Sequence, residues 1–152
     1  KKRIMSGVTD IVTFQENKNT SIGQRVTFVV NSFELFLENP FLGVGTGDFP
    51  KEYLKVNKKN SPNVQATVQP HNMYMLVLSQ LGIMGLVSFF SIFYYQFSIA
   101  LSSKSILVKN IGISMPLLFL LIMWSDSYLL GHYTSNLYIL FSSFIYSNNL
   151  DD

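Results

Sequence analysis

Polar and apolar positions divide this chain into two halves. From Asn72 to Ser103 there is no Asp, Glu, Lys or Arg, a run longer than the roughly 20 apolar residues that cross a bilayer. The pattern predicts a first membrane helix from Met73 to about Ala100, then a turn, Ser102 to Asn110, holding Lys104 and Lys109. A second apolar span runs from Ile111 to about Ser125 and contains Pro116, which membrane helices tolerate. Asp126 to His132 reads as another turn, and Trp124, Tyr128 and Tyr133 around it resemble the aromatic belt of a membrane interface. Leu137 to Tyr146 is a third apolar segment, shorter than a full span.

The first half is patterned differently. Ile4 to Phe14 is a short apolar-periodic stretch, followed by loop-like composition through Thr20. Ser21 and Gln24 have capping-box spacing, so a helix is expected to begin near Ile22. Val26, Val29, Val30, Phe33, Phe36 and Leu37 recur at helical spacing, leaving Asn31, Ser32, Glu34 and Glu38 largely off that stripe. This predicts an amphipathic helix stopped by Asn39-Pro40. Gly43, Gly45 and Gly47 then mark a tight turn, and Lys51, Lys55, Lys58 and Lys59 a short basic helix. Residues 60–70 have loop composition, and Pro70 leads into His71. The domain reading is therefore residues 1–72 as a loop region with an amphipathic helix and a Gly-rich turn, and residues 73–152 as transmembrane helices with short connecting turns.

Composition sharpens this picture. Only 13% of residues are charged, against about 25% in soluble domains, and those charges concentrate before residue 60. With no cysteine, a disulfide framework, a zinc-thiolate site and a cysteine nucleophile are excluded. The net charge of +2 and the absence of aromatics interleaved with basic residues argue against nucleic-acid binding. The short turn with Lys104 and Lys109 is expected to be cytoplasmic, which places residues 1–72 outside; a long loop is largely exempt from the positive-inside count.

Two side chains stand out chemically. His71 ends the polar half at the mouth of the apolar run, where an ionisable group is a functional candidate by default. Arg25 sits in the first turns of its helix, where the dipole disfavours a cation but favours a bound anion. Each has a plain structural reading as well: His71 as an interfacial cap of the helix it precedes, Arg25 as a side chain reaching for the membrane surface or for Glu34.

The spacing His71-Asn72-x9-Gly82-x2-Gly85 resembles the motif of the O-antigen ligase and O-antigen polymerase family of bacterial membrane proteins. Ser21-Ile22-Gly23-Gln24-Arg25 and the stretch from Asn39 to Phe49 resemble the same family in the same order, so that the likeness covers roughly residues 20–95. It implies an all-α membrane protein, here an amphipathic helical periplasmic loop followed by about three transmembrane helices, forming the C-terminal part of a polytopic glycosyltransferase in the bacterial inner membrane.

The chemistry implied is glycosyl transfer from an undecaprenyl-diphosphate-linked glycan to an acceptor hydroxyl, without metal or cofactor. Ligation to lipid A-core leads, with O-antigen polymerisation and protein O-glycosylation as alternatives. Membrane lipids are the other expected partners. His71 matches the family's position for the base or acceptor binder, and Arg25 one of its diphosphate-binding positions. Asn72, Gly45 and Gly47 are supporting candidates, the glycines through backbone N–H groups turned toward phosphate. A second diphosphate-binding arginine is expected upstream, and Arg3 cannot be assigned to it. From another class, a non-catalytic scaffold or lipid-binding module would use His71 and Arg25 only as interface anchors.

Overall fold

A computed structural model describes residues 20–147; the periodic stretch 4–14 and Arg3 lie outside them. The described residues form helices and no strand. Helix α1 (Ser21–Glu38) is capped by Thr20, whose hydroxyl accepts the Gly23 N–H at 3.1 Å. Thr20 rather than Ser21 holds the cap because it is the last residue with extended backbone. The helix stops at Asn39, as the Asn-Pro pair requires.

The helix is amphipathic, and much of its apolar stripe faces outward. Its buried residues are Gly23, Thr27, Phe28, Asn31, Ser32 and Leu35. Val30 and Leu37 of the apolar stripe are 55% and 58% exposed, and Val26 and Phe33 are exposed with them. On the polar face Thr27 and Ser32 donate within α1 to the Gly23 and Phe28 carbonyls, and Asn31 finds its partners on α2 (Phe49–Asn60). Asn31 Nδ2 donates to Tyr53 Oη at 3.3 Å and to Asn57 Oδ1 at 3.2 Å, while Asn57 Nδ2 donates to the Val64 carbonyl at 2.8 Å. A satisfied polar network of this kind costs little to bury. Around it pack Phe28, Leu35, Phe49, Tyr53, Val56 and Val64.

Glu34 adds a rim contact to this helix pair, accepting from Lys59 and Asn60. Hydrogen bonds from these two side chains hold its carboxyl below the usual carboxylate value. A lowered folded-state value means stability present above the ordinary carboxylate range and lost as pH falls through the lowered one. Acidification below the ordinary carboxylate range should therefore loosen α1 from α2. Thermal unfolding across that range should show a smaller acid-dependent loss in Glu34→Gln; an identical pH dependence in the variant would remove the ion pair from the account.

The apolar run forms α3 (Met73–Ser102), the one helix among the described residues long and apolar enough to cross a membrane. It is not the continuous helix expected from Met73 to Ala100. Gly82 has φ 64° and ψ −163°, a region essentially reserved for glycine. There the chain reverses: the rings of Tyr74 and Phe90 stack 5.6 Å apart, although sixteen residues of straight helix would separate them by about 24 Å. Residues 73–81 are thus a short arm folded back on residues 83–102, and the longer arm retains about the 20 residues a span needs. The small residues Gly82 and Gly85 serve this reversal, with Leu81 packed over Gly85.

Helix α4 (Ile106–Ile122) starts earlier than the sequence suggests because Ser105 caps it, accepting the Val108 N–H; the turn before it shrinks accordingly. A 3-10 turn (Tyr128–Leu130) and α5 (His132–Ser147) complete the described chain. Close helix packing occurs at Gly112, which faces Ala100, Ile145 and Tyr146. The buried Gln96 of α3 is met by α5: Tyr138 Oη donates to Gln96 Oε1 at 2.6 Å, and Gln96 Nε2 donates to Ser142 Oγ at 3.2 Å. Met84, Val87, Leu101, Ile106, Leu121 and Phe144 project outward, an apolar belt suited to lipid or to further helices.

Candidate functional site

His71 is the only non-glycine residue with positive φ (51°) among the described residues. Such a conformation in a side-chain-bearing residue is uncommon and persists where surrounding contacts dictate it. Pro70 before it is fully buried, and Asn72 after it caps α3, accepting the Met75 N–H at 3.0 Å. The imidazole stacks on Phe28 of α1 with centroids 6.0 Å apart. Its Nδ1 lies 3.1 Å from Asp126 Oδ1, which also accepts the Ser127 N–H at 2.7 Å.

The turn between α4 and α5 is held at four successive residues of its own, 123–126. Met73 N–H donates to the Met123 carbonyl at 3.0 Å and Asn72 Nδ2 to the Trp124 carbonyl at 3.0 Å. Arg25 Nη1 donates to the Ser125 carbonyl at 2.8 Å, and His71 holds Asp126. Arg25 and His71 thus face one pocket of about 300 Å³, lined also by Val26, Val29, Val30, Asn72, Trp124 and Ser125. Asn72 contributes by fixing backbone on both sides of the pocket.

This arrangement has definite chemical capacity. With Asp126 accepting from Nδ1, a neutral imidazole carries its free lone pair on Nε2 and can take a proton there. The carboxylate orients the ring and stabilises the imidazolium that results, as in other His-Asp pairs. Arg25 commits one N–H to Ser125, and a guanidinium has five; the fork retains capacity for an anion.

Other sequence candidates fall elsewhere. Gly45 donates its N–H to the Gln80 carbonyl at 2.9 Å, and the Gly43 N–H goes to Asn39, so those amides are spent inside the protein. Neither Gly45 nor Gly47 lines the pocket. Lys55 pairs with Glu52 and Lys59 with Glu34, the pattern of an ordinary solvated face. His132 stays exposed at the start of α5. The partner that no sequence spacing reveals is Asp126, the one acidic residue between Glu52 and Asp151. Its isolation in the apolar half was the available signal.

A family profile described as O-antigen ligase matches residues 2–90. No curated protein matches the chain. The matched stretch takes in Arg25 and His71, which line the pocket, together with the Gly-rich loop and the reversal at Gly82; the chain belongs to the O-antigen ligase family, membrane-embedded enzymes of glycosyl transfer in O-antigen assembly.

Proposed function

We propose that the pocket between α1 and the 123–126 turn joins a polyprenyl-diphosphate-linked glycan to the hydroxyl of a lipid A-core acceptor. The observation carrying this reading is that Arg25 and His71, far apart in sequence, line one pocket while Asp126 orients the histidine. In the reaction, His71 Nε2 takes the acceptor hydroxyl proton as that oxygen bonds to the anomeric carbon. The bond from that carbon to the phosphate oxygen breaks, and its electron pair leaves on the diphosphate, held by Arg25. The proton on His71 then passes to the departing diphosphate or to water. The proposed transfer is metal-independent, with a second diphosphate-binding arginine expected upstream to share the leaving group's charge with Arg25.

The test uses the complete gene product that carries this chain, reconstituted with a lipid-linked glycan labelled in its sugar and a core lipopolysaccharide acceptor. Label should appear on the core lipopolysaccharide. Lengthening of the donor-linked glycan would make the protein a polymerase, and label on a polypeptide would make it a protein glycosylating enzyme. Absence of all three products from an active preparation would overturn glycosyl transfer itself.

The reading also requires the pocket to face the periplasm of an inner-membrane protein. Lys58, Lys104 and Tyr133 are exposed, so each is a suitable site for a single introduced cysteine in a cysteine-free background. A membrane-impermeant thiol reagent, applied to cells with a permeabilised outer membrane, should label positions 58 and 133, and position 104 only after lysis. The inverse pattern would put the pocket in the cytoplasm and exclude this donor geometry.

A further inference from the structure

The glycines at 43 and 82 do more than permit turns. At the reversal of α3, the loop after α1 is inserted into the break, backbone against backbone. The last carbonyls of the short arm, Ser79 and Gln80, accept from the N–H groups of Val44 and Gly45, each at 2.9 Å. The first N–H groups of the long arm, Ile83 and Met84, donate to the carbonyls of Pro40 and Phe41 at 2.9 and 3.4 Å. Groups that a broken helix leaves orphaned on both sides are thus satisfied by one loop. The fit leaves no room for a side chain. A Cβ on Gly82 would lie 2.3 Å from the Phe41 carbonyl oxygen, and one on Gly43 2.3 Å from the Gln80 carbonyl carbon. Both glycines have positive φ.

We infer that this inserted loop is a positioning device that sets the register of Arg25 against His71, with Gly43 and Gly82 as its positioning residues. The geometry leads there directly. Helix α1 and the short arm of α3 are pinned together at one end by Arg25, Phe28 and His71 around the 123–126 turn. The other end is pinned by the loop in the break. The eleven-residue interval from His71 to Gly82 is then one side of a ruler whose other side is α1 with its loop. Slippage by one helical residue displaces a side chain by about 1.5 Å along the axis, and a misplacement of about 1 Å is enough to cost a reaction roughly 100-fold. The Gly-rich turn therefore acts at a distance from the substrate, through the helix it anchors. This inference rests on the reading that Arg25 and His71 act on one substrate.

The experiment uses the complete gene product in a cysteine-free background. Phe41 and Met84, joined by a backbone hydrogen bond and both exposed, are replaced by cysteines, so that a short bis-thiol reagent reports whether the loop is seated. Efficient cross-linking is expected. Introducing Gly82→Ala or Gly43→Ala should reduce the cross-link and lower kcat about 100-fold at saturating donor and acceptor, with much smaller changes in either KM. Turnover within threefold of the parent despite a lost cross-link would overturn the inference, as would a collapsed kcat with the cross-link intact. Where the alanine variants fail to accumulate, the cross-linked protein itself decides: a permanently seated loop should preserve transfer. Loss of activity on locking, restored by a reducible reagent's cleavage, would show that the loop must open and would overturn the fixed-register role. The cross-link is read without turnover, so an unseated loop is distinguished from a wrongly assigned reaction.

Discussion

Replacing His71 by asparagine in the complete gene product is expected to lower glycan transfer by about 10²–10⁴-fold, the usual contribution of a positioned base. Asparagine is the informative substitute because His71 has φ 51°, a conformation asparagine tolerates better than alanine. Membrane levels should accordingly remain near those of the parent, and the loss can be assigned to the missing Nε2. His71→Ala adds backbone strain and removes the ring stacked on Phe28, so it tests the base and the fold together. Asp126→Asn keeps an oxygen able to face Nδ1 but removes the charge that stabilises the imidazolium; its activity should fall between the parent and His71→Asn. Parent-like transfer by a well-expressed His71→Asn protein would leave the histidine a structural element of the turn and remove it from the chemistry.

The sequence exposes different parts of this fold to different degrees. Charge depletion and helical periodicity locate α1, α2 and the apolar half, because those signals are local. The orientation of α1 is not local. Its apolar stripe leaves Val26, Val30, Phe33 and Leu37 exposed, whereas Asn31 is buried because Tyr53 and Asn57 on another helix satisfy it, and Ser32 because its hydroxyl donates to the Phe28 carbonyl of its own helix. Hydrophobic periodicity cannot report a partner of that kind. In a chain bordering lipid, moreover, an exposed apolar stripe carries a different cost from the same stripe in water. The reversal at Gly82 escaped for a related reason. Glycine inside an apolar run is common in membrane helices, and only the inserted backbone of Pro40 to Gly45 shows why the helix ends there.

The candidate site followed the same division. Arg25 and His71 were legible as unusual groups at the ends of their elements, and the family motif linked them. Asp126 lies 55 positions from His71, and no spacing rule connects the two. The link depends on α4 returning the chain to the level of Tyr74, where Leu120 and Trp124 meet it. Three separate stretches thereby become one assembly: the capped start of α1 with Arg25, the loop inserted at Gly82, and the His-Asn entry into α3.

Arg25→Ala is expected to reduce kcat/KM for the lipid-linked donor by about 10–150-fold, the equivalent of one or more charge-assisted hydrogen bonds worth about 1.5–3 kcal/mol. The contact to the Ser125 carbonyl makes Arg25→Lys the sharper experiment. An ammonium can still donate to that single carbonyl and still carries charge, so a purely structural Arg25 would be largely replaced by lysine. A guanidinium that also grips phosphate would not, because the ammonium lacks the planar fork needed for bidentate contact. Diphosphate recognition therefore predicts that Arg25→Lys remains impaired by at least about tenfold for the donor, with the acceptor KM nearly unchanged and the protein as stable as the parent. Full donor affinity in Arg25→Lys would assign Arg25 to fastening the 123–126 turn. A donor affinity unchanged even in Arg25→Ala would require another group to neutralise the leaving diphosphate.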